Sequence, residues 1–176
     1  MKKTNIFAGF PGVGKSELIK MYGADRVSDS DSSEFSWIYN EDGTKEGRNP
    51  DFPNNYIEHI RSLIGEKEVI LVSTHKDVLN ALSQAGIPFT IVYPSRSLKS
   101  VYMGRYEQRG SDAGFLAALD TNWDSFIDDI ESFTDVPKIC LHGPDQYLSD
   151  LEGSWFGQVE ATTIEPDPME DYPEGE

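Results

Sequence analysis

Two periodicities alternate along the chain. Short apolar runs mark strands: Thr4-Asn5-Ile6-Phe7-Ala8, Val69-Ile70-Leu71-Val72, Phe89-Thr90-Ile91-Val92-Tyr93 (closed by Pro94), and Pro137 to Leu141. The Val69 run is the most strongly apolar and predicts a central parallel strand buried on both faces. Val27-Ser28 is a weaker, more polar strand. Between the runs, apolar residues recur at helical spacing. Leu18, Ile19 and Tyr22 form one stripe, and Ile57, Ile60 and Ile64 form another in a helix from Asn54 that stops at Gly65. Val78, Leu79, Leu82 and Ala85 predict a helix capped by Thr74 with Asp77 and ended by Gly86. Leu98, Val101 and Tyr102 lie on a helix from about Ser97 to Gln108. Phe115, Leu116 and Leu119 predict a short helix after Gly110. A separate one, capped by Thr121 and Asp124, carries Trp123, Phe126, Ile127, Ile130 and Phe133. A short closing helix from Asp145 turns Tyr147, Leu148 and Leu151 inward. Phe35, Trp37 and Tyr39 alternate as a strand or an aromatic-lined loop, and core packing is the expected use of Trp37 and Tyr39. Residues 40–53 read as a polar surface loop. No internal repeat is present.

Strands that alternate with helices predict an α/β fold: three layers, a mainly parallel five-stranded sheet and helices on both faces. Right-handed crossovers then gather the loops that follow the strands at one edge of the sheet. Those loops are Gly9 to Ser16, Asp29 to Ser33, Ser73 to His75 and the segment after Tyr93. All are polar.

Composition narrows the setting. A chain of 176 residues with 38% hydrophobic residues suits one domain, assigned to residues 1–157. Residues 158–176 carry seven acids and no base, with several prolines, and read as a disordered tail. No run approaches the roughly 18 apolar residues of a membrane span, and the start lacks a signal peptide's apolar stretch. The single cysteine, Cys140, excludes an internal disulfide, suits a reducing cytoplasmic setting and reads as a buried small hydrophobe. A net charge of −16, without any Lys/Arg cluster, argues against long nucleic acid as a partner unless a local groove reverses the field.

One stretch carries explicit chemistry. Gly9-Phe10-Pro11-Gly12-Val13-Gly14-Lys15-Ser16 matches G-x-x-x-x-G-K-[ST], the phosphate-binding loop, between a strand and a helix. Glycines let the backbone aim several N–H groups at one point, and the helix start adds its dipole. The expected nucleotide-binding set is Gly9, Pro11, Gly12, Val13, Gly14, Lys15, Ser16 and Glu17. Lys15 supplies a cation for the β- and γ-phosphates, and the Ser16 hydroxyl is a Mg²⁺ ligand.

With Asp29-Ser30-Asp31 after the second strand, and Arg105-x-x-x-Arg109 followed by Phe115, the chain resembles the small P-loop kinases. These are the nucleoside monophosphate, gluconate/shikimate-type and polynucleotide-kinase-type domains. The resemblance spans about residues 4–151 and extends to small phosphate-loop proteins of bacteriophages. It implies a P-loop kinase-like fold, ATP and Mg²⁺ as cofactors, and transfer of a phosphoryl group to a small acceptor. That acceptor would be a nucleotide or nucleoside-like molecule, with a modified base or a DNA hydroxyl as a branch. Lys15, Arg105 and Arg109 would stabilise charge, with Arg105 also touching ATP. Asp29 would assist Ser16 at the metal, and Asp31 would accept or orient the acceptor hydroxyl. Gly143-Pro144-Asp145 resembles the segment that touches the adenine edge, and stacking on a substrate base is the alternative to core packing for Trp37 and Tyr39. The chain departs from the pattern at Ser73-Thr74-His75, where many such enzymes keep a metal-shell Asp, and its lid is short. Plainer readings stand beside these: the two Asp residues as caps, the two Arg residues as a solvated face, and His75 as a structural group. A reading of another class is a nucleotide-binding interaction module, or an inhibitor acting through its acidic surface.

Overall fold

The computed structural model describes residues 3–154. The expected tail, and the end of the assigned domain at residues 155–157, lie outside them. The apolar runs become β1 (Asn5–Gly9), β5 (Val69–Val72), β6 (Thr90–Pro94) and β7 (Lys138–Leu141), and the weak polar run becomes β2 (Val27–Asp29). These five form one sheet in the order β2-β5-β1-β6-β7, every pairing parallel. Every residue of β1, β5 and β6 is buried, which is why their sequences run apolar rather than alternating. Helices flank the sheet: α1 (Lys15–Tyr22), α3 (Asn54–Leu63), α4 (Lys76–Gln84), α5 (Lys99–Gln108) and α6 (Ala113–Glu131). From β1 the chain crosses toward β2, and from β6 it crosses toward β7. Neighbouring strands whose connections diverge leave a crevice beyond their carboxyl ends.

Several elements differ from the sequence reading. The two helices expected on either side of Thr121 are one, α6, of 19 residues. No glycine or proline interrupts the turn between Leu119 and Trp123, and Leu119, Trp123, Ile127 and Ile130 make one buried stripe. The cap is Asp112, whose carboxylate accepts the Phe115 N–H at 2.8 Å, so Thr121 and Asp124 cap nothing. Asp124 instead joins Asp128 and Glu131 around the Arg96 guanidinium, at 3.2, 2.8 and 3.2 Å. The first turn expected of α5 is a separate 3-10 turn, Arg96–Leu98. At α4 the cap position is His75, with no side-chain hydrogen bond, so the expected Thr74 cap does not form. Ile64 falls just beyond α3 and is exposed. The closing helix is a 3-10 turn, Leu148–Ser154, and Tyr147 stays exposed rather than turning inward.

The aromatic alternation resolves into a short helix α2 (Ser33–Ser36) and strand β3 (Trp37–Tyr39). The expected polar loop contains β4 (Lys45–Arg48), antiparallel to β3, with Trp37 opposite Arg48. Asp42-Gly43 at the tip is the turn signal: Gly43 takes φ 88°, and the Asp42 carboxylate accepts the Thr44 N–H at 3.0 Å. Tyr39 is exposed and its hydroxyl donates to the Ser33 carbonyl, so it is not core packing. No helix among the described residues is long and apolar enough to cross a membrane.

Cys140 is buried in β7, and burial pushes its thiol up to about 12. At pH 8 only about one molecule in 10⁴ would then be thiolate. Ellman's reagent should titrate close to zero thiols in native protein and one per chain in guanidinium. Fast native labelling would contradict this packing.

Candidate functional site

The Gly9–Ser16 segment leaves β1 at the crevice. Gly12 and Gly14 take φ values of 92° and 103°, a region that side chains disfavour. A Cβ on Gly9 would sit 2.9 Å from Val13 Cγ2, and one on Gly12 would sit 3.0 Å from the Tyr106 ring. The loop is pinned through its carbonyl oxygens. Tyr106 Oη donates to Pro11 O at 2.7 Å, Arg105 Nη1 to Gly12 O at 2.8 Å, and the Leu148 N–H to Val13 O at 2.9 Å. Val13 itself is fully buried. Gly14 caps α1 without a side chain, so the N–H groups of Lys15, Ser16 and Glu17 begin the helix with no intrahelical acceptor. Ser16 and Glu17 are exposed there.

Lys15 bends back over this loop, its Nζ donating to Gly9 O at 2.6 Å. Burial pulls its pKa down to about 8. Asp29 and Asp31 oppose that shift by favouring the ammonium, and the Arg109 guanidinium adds to it. Four of the expected site residues therefore act on one another through space.

The two aspartates are held by groups that sequence reasoning missed. Asp29 and Asp31 are exposed, whereas Ser30 and Ser32 between and after them are buried. This alternation turns both carboxylates to one side. Ser30 is the anchor. Its N–H donates to Leu71 O at 2.8 Å, its carbonyl accepts from Tyr56 Oη at 2.6 Å, and its hydroxyl lies 3.2 Å from His59 Nε2. The Ser32 hydroxyl bonds Ser73, tying the segment to the end of β5. Asp31 Oδ1 accepts the Ser33 N–H at 2.9 Å, an Asx turn leading into α2, whose cap position is Ser32. Burial raises the Asp29 pKa and Lys15 lowers it. No sequence pattern marks Tyr56 or His59 beyond their place on an amphipathic helix.

The two arginines part company. Arg105 is half-buried between the rings of Tyr102 and Tyr147, its Cζ 4.3 and 4.0 Å from their centroids. It donates to Gly12 O and, at 2.6 Å, to Pro144 O. It is brought to the loop as expected, but on the carbonyl side. Arg109 is exposed at the end of α5, beside the rings of Tyr106 and Phe115 at 5.1 and 5.9 Å.

Beside Lys15 opens a cavity of about 590 Å³. Gly9, Phe10, Pro11, Ser73, Thr74 and His75 form its floor at the ends of β1 and β5. Ser32, Ser33, Trp37, Arg48 and Phe52 make one wall, and Phe115, Leu119, Phe126 and Ile130 of α6 make the other. Trp37 is thus a cavity wall, with Lys45 and Arg48 4.4 and 4.8 Å from its ring, and not core packing. The α6 stripe, read from sequence as core alone, has a second edge, and Phe126 is 37% exposed on it. Burial holds His75 below its ordinary pKa, against the carboxylates of Asp31 and Asp77. Among the described residues no three His, Cys, Asp or Glu side chains form a metal cage.

Gly12→Ala should cost about 1–3 kcal/mol, combining an unfavourable φ with a close ring contact. Gly104→Ala, inside α5 with open space around it, should instead stabilise by about 0.5–1 kcal/mol. Urea unfolding of both variants checks the contrast. Comparison with protein-family models finds no match, and comparison with curated proteins finds no relative.

Proposed function

We propose that the protein is an ATP-dependent phosphotransferase that moves the γ-phosphoryl group to a small, nucleotide- or nucleoside-like acceptor. The observation that carries this reading is the convergence on Lys15. The amine sits on a loop of the P-loop pattern, bonded to Gly9 O, within the electrostatic reach of Asp29, Asp31 and Arg109, and a substrate-sized cavity opens alongside.

The residues fit the two cofactors. Gly9 and Gly12 let the loop pack closely against Val13 and the Tyr106 and Tyr102 rings, where a Cβ would not fit, and so hold its backbone in place. The free N–H groups at the start of α1 suit an anion. For Mg²⁺, the Ser16 hydroxyl and a carboxylate, Asp29, are the donor set of an ion that takes its other ligands from phosphate and water. Bound there, the metal would neutralise phosphate charge. The chain's own groups supply the rest. Lys15 and Arg109 offset negative charge that spreads over the transferring group. Asp31 orients the attacking hydroxyl and takes its proton. Arg105 works at one remove, by holding the loop's carbonyls. The acidic surface favours a small acceptor over long nucleic acid.

A steady-state ADP-release assay with ATP, Mg²⁺ and an acceptor panel tests this. Lys15→Ala and Arg109→Ala should lower kcat by about 10²–10³-fold, and Asp31→Asn by about 10²-fold. If all three keep most of the wild-type rate, the assignment is wrong. Tight ATP binding without turnover of any acceptor would favour the nucleotide-binding module. The replacement of a strand-end acid by His75 speaks for that second reading.

A further inference from the structure

The cavity beside Lys15 restricts what the acceptor can be. Its lining is rich in aromatic rings from two parts of the chain. Trp37 and Phe52 come from the segment between β2 and β5, and Phe115 and Phe126 from α6, which leads into β7. Phe126 is exposed although it sits one residue from the fully buried Ile127, so its ring faces open space rather than core. A slot with apolar rings on two sides selects a flat, apolar-faced ligand over a polyol.

Charge adds a second restriction. Apart from Lys15, the lining holds the cations Arg48 and Lys76 and the carboxylates Asp77 and Asp129, which balance. Lys76 already faces Asp129, Nζ to Oδ1 at 3.9 Å, and Arg48 lies over the Trp37 ring. His75, the remaining titratable group of the lining, is held toward its neutral form by burial. Asp31, next in the chain to the lining residue Ser32, adds negative charge at this side. A phosphate acceptor would bring about two further negative charges, and such groups are bound by surplus guanidinium or ammonium donors. With Lys15 taken by the ATP phosphates, the lining offers no such surplus.

We infer that the acceptor is a neutral molecule of nucleoside chemistry, a planar heteroaromatic ring with a hydroxyl arm, and not a nucleoside monophosphate. This rests on the phosphotransfer reading above. The ring lies between the aromatic walls and the arm reaches toward Lys15. The hydroxyl oxygen bonds to the γ-phosphorus as the bond from that phosphorus to the β,γ-bridging oxygen breaks. ADP leaves, and the hydroxyl proton passes to the Asp31 carboxylate. The product is the phosphate monoester of the arm.

The test uses the full chain with ATP and Mg²⁺, and ADP release as readout. The probes are the common ribo- and deoxyribonucleosides, their 5′-monophosphates, and glucose. At least one nucleoside should turn over, with kcat/KM at least tenfold above that of its monophosphate. Trp37→Ala and Phe126→Ala should each raise the nucleoside KM about tenfold and leave the ATP KM unchanged, while Trp37→Phe restores the wild-type value. Preference for a monophosphate or for glucose, or an unchanged nucleoside KM in both alanine variants, overturns this inference and leaves phosphotransfer standing. ATP binding by calorimetry with no ADP from any probe overturns the phosphotransfer reading itself.

Discussion

The structure depends on which side of the Gly9–Ser16 backbone the protein holds. Three consecutive carbonyls, of Pro11, Gly12 and Val13, accept hydrogen bonds from Tyr106, Arg105 and the Leu148 amide. In a trans peptide the C=O and the following N–H point opposite ways. Fixing the Pro11 and Val13 carbonyls against the protein therefore turns the Gly12 and Gly14 N–H groups away from it. The arrangement requires positive φ at Gly12 and Gly14, which glycine adopts without the steric cost a side chain would bring. It persists because an arginine, two tyrosines and the Leu148 turn over-determine it. The same contacts explain why the α5 tyrosines are buried so close to the loop: Tyr102 and Tyr106 occupy the space that a side chain on Gly12 would need.

Electrostatics follows from this placement. The chain is strongly acidic, yet burial pulls the Lys15 amine down to about 8. The hydrogen bond to Gly9 O and the charges of Asp29 and Asp31 offset part of the cost of its charge. An anion brought to the loop would do the same more effectively, because it lies in the low-dielectric crevice with the amine. The free protein thus holds an ammonium that is under-compensated, an arrangement suited to binding negative charge rather than to stability.

Much of this was legible in the sequence. Burial on both faces makes a parallel strand read as an apolar run, so β1, β5, β6 and β7 stood out, and the loop's own pattern identified its place between strand and helix. What escaped depends on contacts distant in the chain. Arg105 and Arg109 have the same spacing logic on a helix surface, and nothing local distinguishes the one that meets the Gly12 carbonyl from the one left exposed. Tyr56 and His59 gain their roles only because Ser30, some 26 and 29 residues earlier, lies under them. The β3–β4 hairpin was missed for a different reason. Its Asp42-Gly43 signal was present, but the flanking residues are too polar for the alternation to show.

The division between the two arginines also links the two halves of the crevice. With Arg105 committed to carbonyls, Arg109 is the arginine whose charge acts on Lys15 through space. Its position is set by Tyr106 at the end of α5 and Phe115 at the start of α6. Phe115 is also part of the cavity wall, and α6 runs unbroken from it to Phe126 and Ile130. The same Phe115 ring meets Tyr106 edge-on, centroids 5.2 Å apart, so the cavity wall and the seat of Arg109 share one residue. Because α6 is one helix rather than two, the ring beside Arg109 and the residues that line the cavity belong to a single element.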